Sequence, residues 1–464
     1  MLLIKNGYYI NPETNREGNY DVFIKDGKVS RVIPAGGIAS ACDGVSAYAS
    51  TSADAYRDVS AKMHQDGADT VGVRALEAVA CQVIDAADCI VAPGLVDVHV
   101  HFRDPGFTYK EDIETGAAAA AAGGYTTVVM MANTKPAIDT KDTLQYVLSK
   151  GAGTGIHVES CACVTKGLQG KEVTDMEALL HAGAVGFTDD GIPLMDEALA
   201  REAMERAAEL RVPLSFHEED KSYITNNGIN EGAASAHFGI GGSKREAEIS
   251  LVERDLNLAI ETGAVINIQH ISSKEAVALV REAKKHSAHI HAEATPHHIA
   301  LTEEALVQKG ALAKMNPPLR TEEDRQAIID GLSDGTIDLI ATDHAPHSAE
   351  EKARPLTEAP SGLIGLETAL SICYEQLVGS GKMTMMELLR CMSSNPAKLY
   401  GLPAGNIAEG CAADLVIFSP DELWTAEHFH SRSQNSPFLG ERMTGKIRYT
   451  ICGGKIVYDG ADER

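Results

Sequence analysis

Between residues 89 and 347 the chain repeats one pattern: a short apolar, β-branched run, a polar ending, and then a longer stretch of helix formers. In order the runs are CIVAPGLVDVHVH from Cys89, YTTVVMMANT from Tyr125, GIHVESCACV from Gly155, GAVGFTDDG from Gly183, VPLSFHEED from Val212, VINIQHIS from Val265, IHAEATPHH from Ile290 and DLIATDHAPH from Asp338, eight in all. Runs of this length without strict alternation read as strands buried on both faces of a parallel sheet. The segments between them, such as KEDIETGAAAAAAGG and DEALAREAMERAAELR, are rich in Ala, Glu and Leu, and the first closes on a glycine pair suited to a helix C-terminus. Eight strand–helix alternations predict an α/β fold of the (β/α)8 TIM-barrel type, whose active sites lie at the C-terminal ends of the strands.

The two chain ends follow another rhythm. LLIKNGYYI and YDVFIKDGKVSRVI near the start, and DLVIFS and GKIRYTICGGKIVYDG near the finish, are strand and hairpin patterns punctuated by Asn-Gly, Asp-Gly and Gly-Gly. They predict one small β-sandwich domain built from both ends, residues 1–90 and 403–464, flanking a barrel of residues 91–402. Residues 36–80 are rich in Ala, Ser, Asp and Gly with weak periodicity, and read as an insertion in that β-domain.

Charge narrows the partners. Lys and Arg total 41 against 66 Asp and Glu, a formal net charge of −25. So acidic a surface repels phosphate backbones and anionic lipid, which argues against nucleic acid and membrane, and makes any attraction for an anionic small molecule a local affair. The start MLLIKNGYYINPETNREG has no cationic segment leading into an apolar one, and no stretch approaches the ~20 apolar residues of a membrane span, so a cytoplasmic location is expected. The nine cysteines are odd in number and contain no CxxC pair, which reads as reduced, mostly buried thiols.

The strand endings carry the chemistry. His99 and His101 follow the first strand, Asp189 and Asp190 the fourth, His217 the fifth, His270 the sixth and Asp343 the eighth. An HxH pair alone is usually two ordinary histidines; the signal lies in the whole set falling on one rim of the barrel. Four imidazoles and two carboxylates suit a borderline-soft ion such as zinc and exceed what one tetrahedral site needs, which implies two metals bridged by one of the fourth-strand aspartates.

PGLVDVHVHFRDPG, FTDDG, KMNPPLR, DLIATDHAPH and SGLIGLETAL resemble the amidohydrolase superfamily and, within it, the bacterial dihydroorotases with an aspartate bridge; NSPFLG and GGKIVYDG extend the resemblance into the C-terminal β-domain. Residues 36–80 depart from that pattern. The resemblance implies two Zn2+ per subunit: one held by His99, His101 and Asp343, one by His217 and His270, with Asp190 bridging and Asp343 carrying a proton. It further implies substrate contacts from His101, Arg103, Asn133, Asn316, His347, Ser361 and Gly362, with Arg103 as a planar fork for a carboxylate. The implied reaction is the reversible cyclisation of N-carbamoyl-L-aspartate to dihydroorotate and water in pyrimidine biosynthesis, in a homo-oligomer associated with aspartate carbamoyltransferase.

Related hydantoinases, dihydropyrimidinases and allantoinases, which hydrolyse neutral rings, use a carboxylated lysine on the fourth strand; no lysine occurs between Lys171 and Lys221. A catalytically silent scaffold is the remaining alternative, disfavoured because all six ligands are present. The alternative for Arg103 is a pairing with its neighbour Asp104. His297 and His298 read equally as packing residues or as groups orienting a ligand, while His157 and Glu159 are expected to point into the barrel. His428 and His430 receive no role, and the AAAAAAGG stretch reads as a close-packed helix, since a phosphate loop would place its glycines before the helix.

Overall fold

A computed structural model describes residues 1–35 and 82–460; the insertion expected at 36–80 lies outside the described residues. Strands β1 (Leu2–Asn11), β2 (Arg16–Lys25) and β3 (Lys28–Pro34) form an antiparallel meander. Its second turn is Asp26-Gly27, both at positive φ (51° and 75°), the conformation for which Asp-Gly is suited. Strands β4 (Gln82–Asp85) and β5 (Ile90–Pro93) run parallel to β1. From the other chain end, β14 (Leu415–Thr425) adds antiparallel to β5, followed by β15 (Arg442–Cys452) and β16 (Lys455–Asp459). A bridge between Lys28 and Ala412 folds the β3 edge back toward β14, so the sheet wraps one apolar cluster that includes Ile4, Val22, Ile24, Val29, Leu415, Ile417 and Ile451.

The run that begins at Cys89 is therefore two strands rather than one. Ile90–Pro93 belongs to the terminal sheet and only Leu95–Val100, strand β6, enters the barrel. Gly94 makes the break possible, because a Cβ there would come within 2.1 Å of Thr126 Oγ1. Both halves are apolar and buried, so periodicity gives no sign of the division.

The barrel continues with β7 (Tyr125–Met130), β8 (His157–Ser160), β9 (Phe187–Thr188), β10 (Leu214–Phe216), β11 (Ile266–Ile268), β12 (Ile290–Ala294) and β13 (Leu339–Ile340), every neighbouring pair parallel. Two bridges close it: Ala162 to Phe187 between β8 and β9, and Val100 to His344 between β13 and β6. Buried Asp97 reinforces the second seam, accepting from His99 N at 3.0 Å and Thr342 N at 3.1 Å. Between the strands run α1 (Ile113–Ala122), α2 (Lys141–Gly151), α3 (Met176–His181), α4 (Glu197–Leu210), α5 (Glu246–Thr262), α6 (Lys274–Ala283) and α7 (Glu322–Ser333).

Helix α1 is the AAAAAAGG segment. Asp112 caps it by accepting from Thr115 N, and Ala117 and Ala119–Ala122 are buried against the barrel, as small side chains permit. His157, in contrast, does not point inward: it opens β8 with a half-exposed ring that meets Asp414 of the terminal sheet at 3.1 Å. The seven described cysteines are all free, five of them buried.

Gly116 on α1 faces the ring of Phe102, and a Cβ there would lie 2.3 Å from it. Phe102 is fully buried between His101 and Arg103, so it has little room to yield. Gly116→Ala should therefore lower stability by about 1–3 kcal/mol, measurable as a reduced urea midpoint with an unchanged slope.

Candidate active site

The residues at the mouth are aimed there by tight backbone. Arg103, His270 and Asp343 all have positive φ, 59°, 33° and 47°, a region that costs a non-glycine residue about 1–3 kcal/mol and is found where surrounding structure holds a side chain in place. Each follows a barrel strand, where the chain turns sharply from sheet to loop.

The six residues expected as ligands converge on Asp190. Its Oδ1 lies 3.5 Å from His99 Nε2, 3.7 Å from His217 Nδ1 and 3.7 Å from His270 Nε2, and its Oδ2 lies 3.4 Å from His101 Nε2. Asp343 Oδ1 stands 3.0 Å from His101 Nε2 and 3.5 Å from His99 Nε2. Two donor sets result, His99–His101–Asp190 and Asp190–His217–His270, each with ligand atoms within 4.8 Å of one another and with Asp190 common to both. Asp189 is turned away: its carboxylate accepts from Val164 N at 2.8 Å, Thr165 N at 3.1 Å and the Thr165 hydroxyl. The choice between the two aspartates is thus made by a loop 24 residues upstream.

A layer behind the histidines decides which nitrogen faces the centre. His99 donates its Nδ1–H to Glu293 Oε1 at 2.5 Å, and Asn267 Nδ2 holds the other oxygen of Glu293 at 2.8 Å. His101 donates Nδ1–H to Asn133 Oδ1 at 2.9 Å, while Asn133 Nδ2 donates to Asp190 Oδ2 at 3.0 Å. Both Nε2 atoms are therefore directed at carboxylate oxygens, an arrangement that a cation, or at His99 a proton, relieves. His99 Nε2 is buried without a hydrogen-bond partner, the condition expected of a nitrogen that faces an ion. On the far side, His217 Nε2 lies 3.2 Å from Glu219 Oε2 and 3.2 Å from the Asn316 amide nitrogen.

Electrostatics follow from this packing. Burial opposes the charge on Asp190, but His99, His270 and His101 outweigh it and hold the carboxyl well below its usual range. Burial likewise opposes charge on Asp343, and His99 and His101 again prevail, keeping it ionised. Burial works against a charged His99, yet Glu293, Asp190 and Asp343 push its pKa well upward. His101 is lowered by burial and by the nearby Arg103.

Above the donors lies a cavity of about 190 Å³ lined by His101, Arg103, Asn133, Asp190, Gly191, His217, Asn227, His270, Asn316, Asp343, Ala345, Ser361 and Gly362. Arg103 does not pair with Asp104, whose carboxylate is taken by Tyr146 at 2.9 Å and Lys150 at 2.7 Å. Its Nε donates to Pro346 O at 3.3 Å, and among the described residues no carboxylate binds the guanidinium, so it faces the cavity as a cation ready for an anion. His347 stands behind this wall: its Nε2–H donates to Ser361 O at 2.7 Å and its Nδ1 accepts from Lys110 Nζ at 3.2 Å, with burial and Arg103 driving its pKa down to about 2. His298 bonds Thr295 Oγ1 at 2.8 Å and Pro317 O at 3.1 Å, a packing role, whereas His297 Nε2 is buried without a partner.

Glu293, Asn267 and Glu219 went unrecognised as parts of the site. Glu293 was legible in principle, since an acidic residue inside the apolar run IHAEA, two positions from the strand's start-side His291, must find a buried partner. Nothing short of the fold identifies that partner as His99.

Residues 90–457 match the amidohydrolase family. A protein named dihydroorotase from Clostridioides difficile strain 630 is 50% identical over 459 residues, spanning 99% of this chain and all of the relative. One of the same name from Streptococcus pyogenes serotype M3 is 50% identical over 460 residues with the same coverage. Among solved structures, an L-hydantoinase (dihydropyrimidinase) from Arthrobacter aurescens superposes with a TM-score of 0.79 at 24% identity over 99% of this chain and 96% of its own, a likeness of fold. The chain belongs to the amidohydrolase family, whose members depend on metal, and its two His/Asp donor sets fit that chemistry.

Replacing Glu293 by Gln should loosen the orientation of His99 and weaken metal retention about 10–100-fold, as loss of such outer partners does elsewhere. Metal content after dialysis against graded chelator measures this, with the described fold preserved in circular dichroism.

Proposed function

We propose that the protein is a dihydroorotase, interconverting N-carbamoyl-L-aspartate and dihydroorotate through a centre of two zinc ions. The observation that carries the reading is a single carboxylate, Asp190, shared by two His/Asp donor sets directly beneath a cavity that contains an unpaired arginine. Full-length relatives of that name at 45–50% identity support it.

His99, His101 and Asp343 would hold one ion, His217 and His270 the other, and Asp190 both. When bound, the ions supply Lewis acidity at a carbonyl oxygen and a water acidic enough to act near neutral pH. The chain's own groups do the rest. Arg103 receives the substrate carboxylate in a two-point contact that lysine cannot reproduce, and so fixes the ring or its open precursor over the donors. Asp343 lines the cavity with an ionised carboxylate, positioned to accept a proton during hydrolysis and to return it to the departing ring nitrogen. His101, Asn133, Asn316, Ser361 and Gly362 complete the walls, and Asn133 also keeps His101 and Asp190 oriented. His347 would act through the Ser361–Gly362 loop it supports. At about 190 Å³ the space is below the roughly 300 Å³ typical of drug-sized pockets and suits a compact metabolite.

The pairing of a −25 chain with an anionic substrate is consistent with this design, because the attraction is confined to the mouth. A homo-oligomer, an association with aspartate carbamoyltransferase and a cytoplasmic location belong to the same reading and rest on the resemblance; no described helix is long and apolar enough to cross a membrane.

Arg103→Ala should cut kcat/KM for dihydroorotate by roughly 100-fold or more, the worth of one or two charge-assisted bonds, with most of the change in KM. Neutral hydantoin or dihydrouracil should be poor substrates for the unmodified protein and unaffected by the substitution. Vigorous turnover of the neutral rings, or indifference of dihydroorotate to Arg103→Ala, would overturn the assignment.

A further inference from the structure

We propose that His157, Asp414 and Cys452 form a binding site for one borderline-soft divalent cation, zinc above all, at the end of the barrel opposite the catalytic mouth. The three come from separate elements: His157 is the first residue of β8, Asp414 directly precedes β14, and Cys452 closes β15. Their ligand atoms lie within 4.8 Å of one another, and Asp414 and Cys452 are buried.

An ordinary ion pair accounts for part of this. His157 Nε2 sits 3.1 Å from Asp414 Oδ2, tying the barrel to the terminal sheet. The other carboxylate oxygen accepts from Gly453 N at 2.6 Å, which fixes the plane of the carboxylate and presents Oδ2 toward the histidine. The ion pair leaves unexplained why a thiol completes the group. Cys452 Sγ has a long 3.8 Å contact to Thr126 O, a weak claim on a sulfur within reach of both partners. Nitrogen, oxygen and sulfur donors from one residue each are a set that zinc accepts, with water as the fourth ligand on an open side. That open side exists, since the His157 side chain is 49% exposed, and its freedom also lets the ring close the last fraction of an ångström. The catalytic donors contain no sulfur, so the two kinds of site carry different spectroscopic signatures. An ion here would pin β8 of the barrel to β14 and β15 of the terminal sheet and stabilise the folded chain by mass action.

Cobalt(II) titration of the purified full-length protein under reducing conditions tests the site. The expected result is a thiolate-to-cobalt charge-transfer band in the near ultraviolet and one more cobalt bound per chain than in Cys452→Ser, with the band lost in both Cys452→Ser and His157→Ala. His157→Ala alters a half-exposed ring and should keep full turnover, and zinc should raise the melting temperature of the unmodified protein more than that of this variant. No thiolate band, equal cobalt stoichiometry in all three proteins, or a band that survives in both variants would each overturn the proposal.

Discussion

Asp190 is a carboxylate removed from water and surrounded by four imidazoles, and most of the molecule is organised around keeping it there. A buried charge costs several kcal/mol, in the order-of-magnitude sense, unless partners of opposite sign or matching hydrogen bonds compensate. The compensation comes from three strand ends separated by up to 171 residues, with Asn133 adding a donor from a fourth. Only a closed barrel brings such distant positions to one rim, so the closure bridges at Ala162–Phe187 and Val100–His344 are as much part of the site as its ligands.

The outer layer turns that convergence into chemistry. Glu293 and Asn133 each take the Nδ1–H of a histidine and thereby commit its Nε2 lone pair to the centre. Asp189, adjacent to the shared carboxylate, is consumed by the Val164–Thr165 backbone, which leaves a single aspartate able to face both donor sets. Lys150 and Tyr146 occupy Asp104 and so leave Arg103 free, a local cation in a protein of strongly negative overall charge. On the proposed reading, specificity for an anion follows from what the neighbours of Arg103 decline to do.

Much of this was legible in the sequence because barrel strands announce themselves as short apolar runs and because ligands must follow them. His99, His101, Asp190, His217, His270 and Asp343 could be read as one set for that reason. The rest was hidden by distance or by uniform burial. The split at Gly94 leaves no trace when both halves are apolar, and the fate of Asp104 depends on residues 42 and 46 positions away. His157 was expected inside the barrel from alternation, but it stands at the first position of β8, where the strand meets the terminal sheet and the side chain finds Asp414 instead. Glu293 escaped notice because a lone acidic residue in a strand has no local partner to suggest its purpose.

The central claim is that one aspartate joins two ions. Loading the protein with manganese(II) and recording its electron paramagnetic resonance spectrum addresses that claim without reference to turnover. Two ions sharing Asp190 should give an exchange-coupled pair signal that collapses to isolated six-line spectra in Asp190→Ala. Isolated ions in the unmodified protein, or a coupled pair that persists without Asp190, would contradict the account.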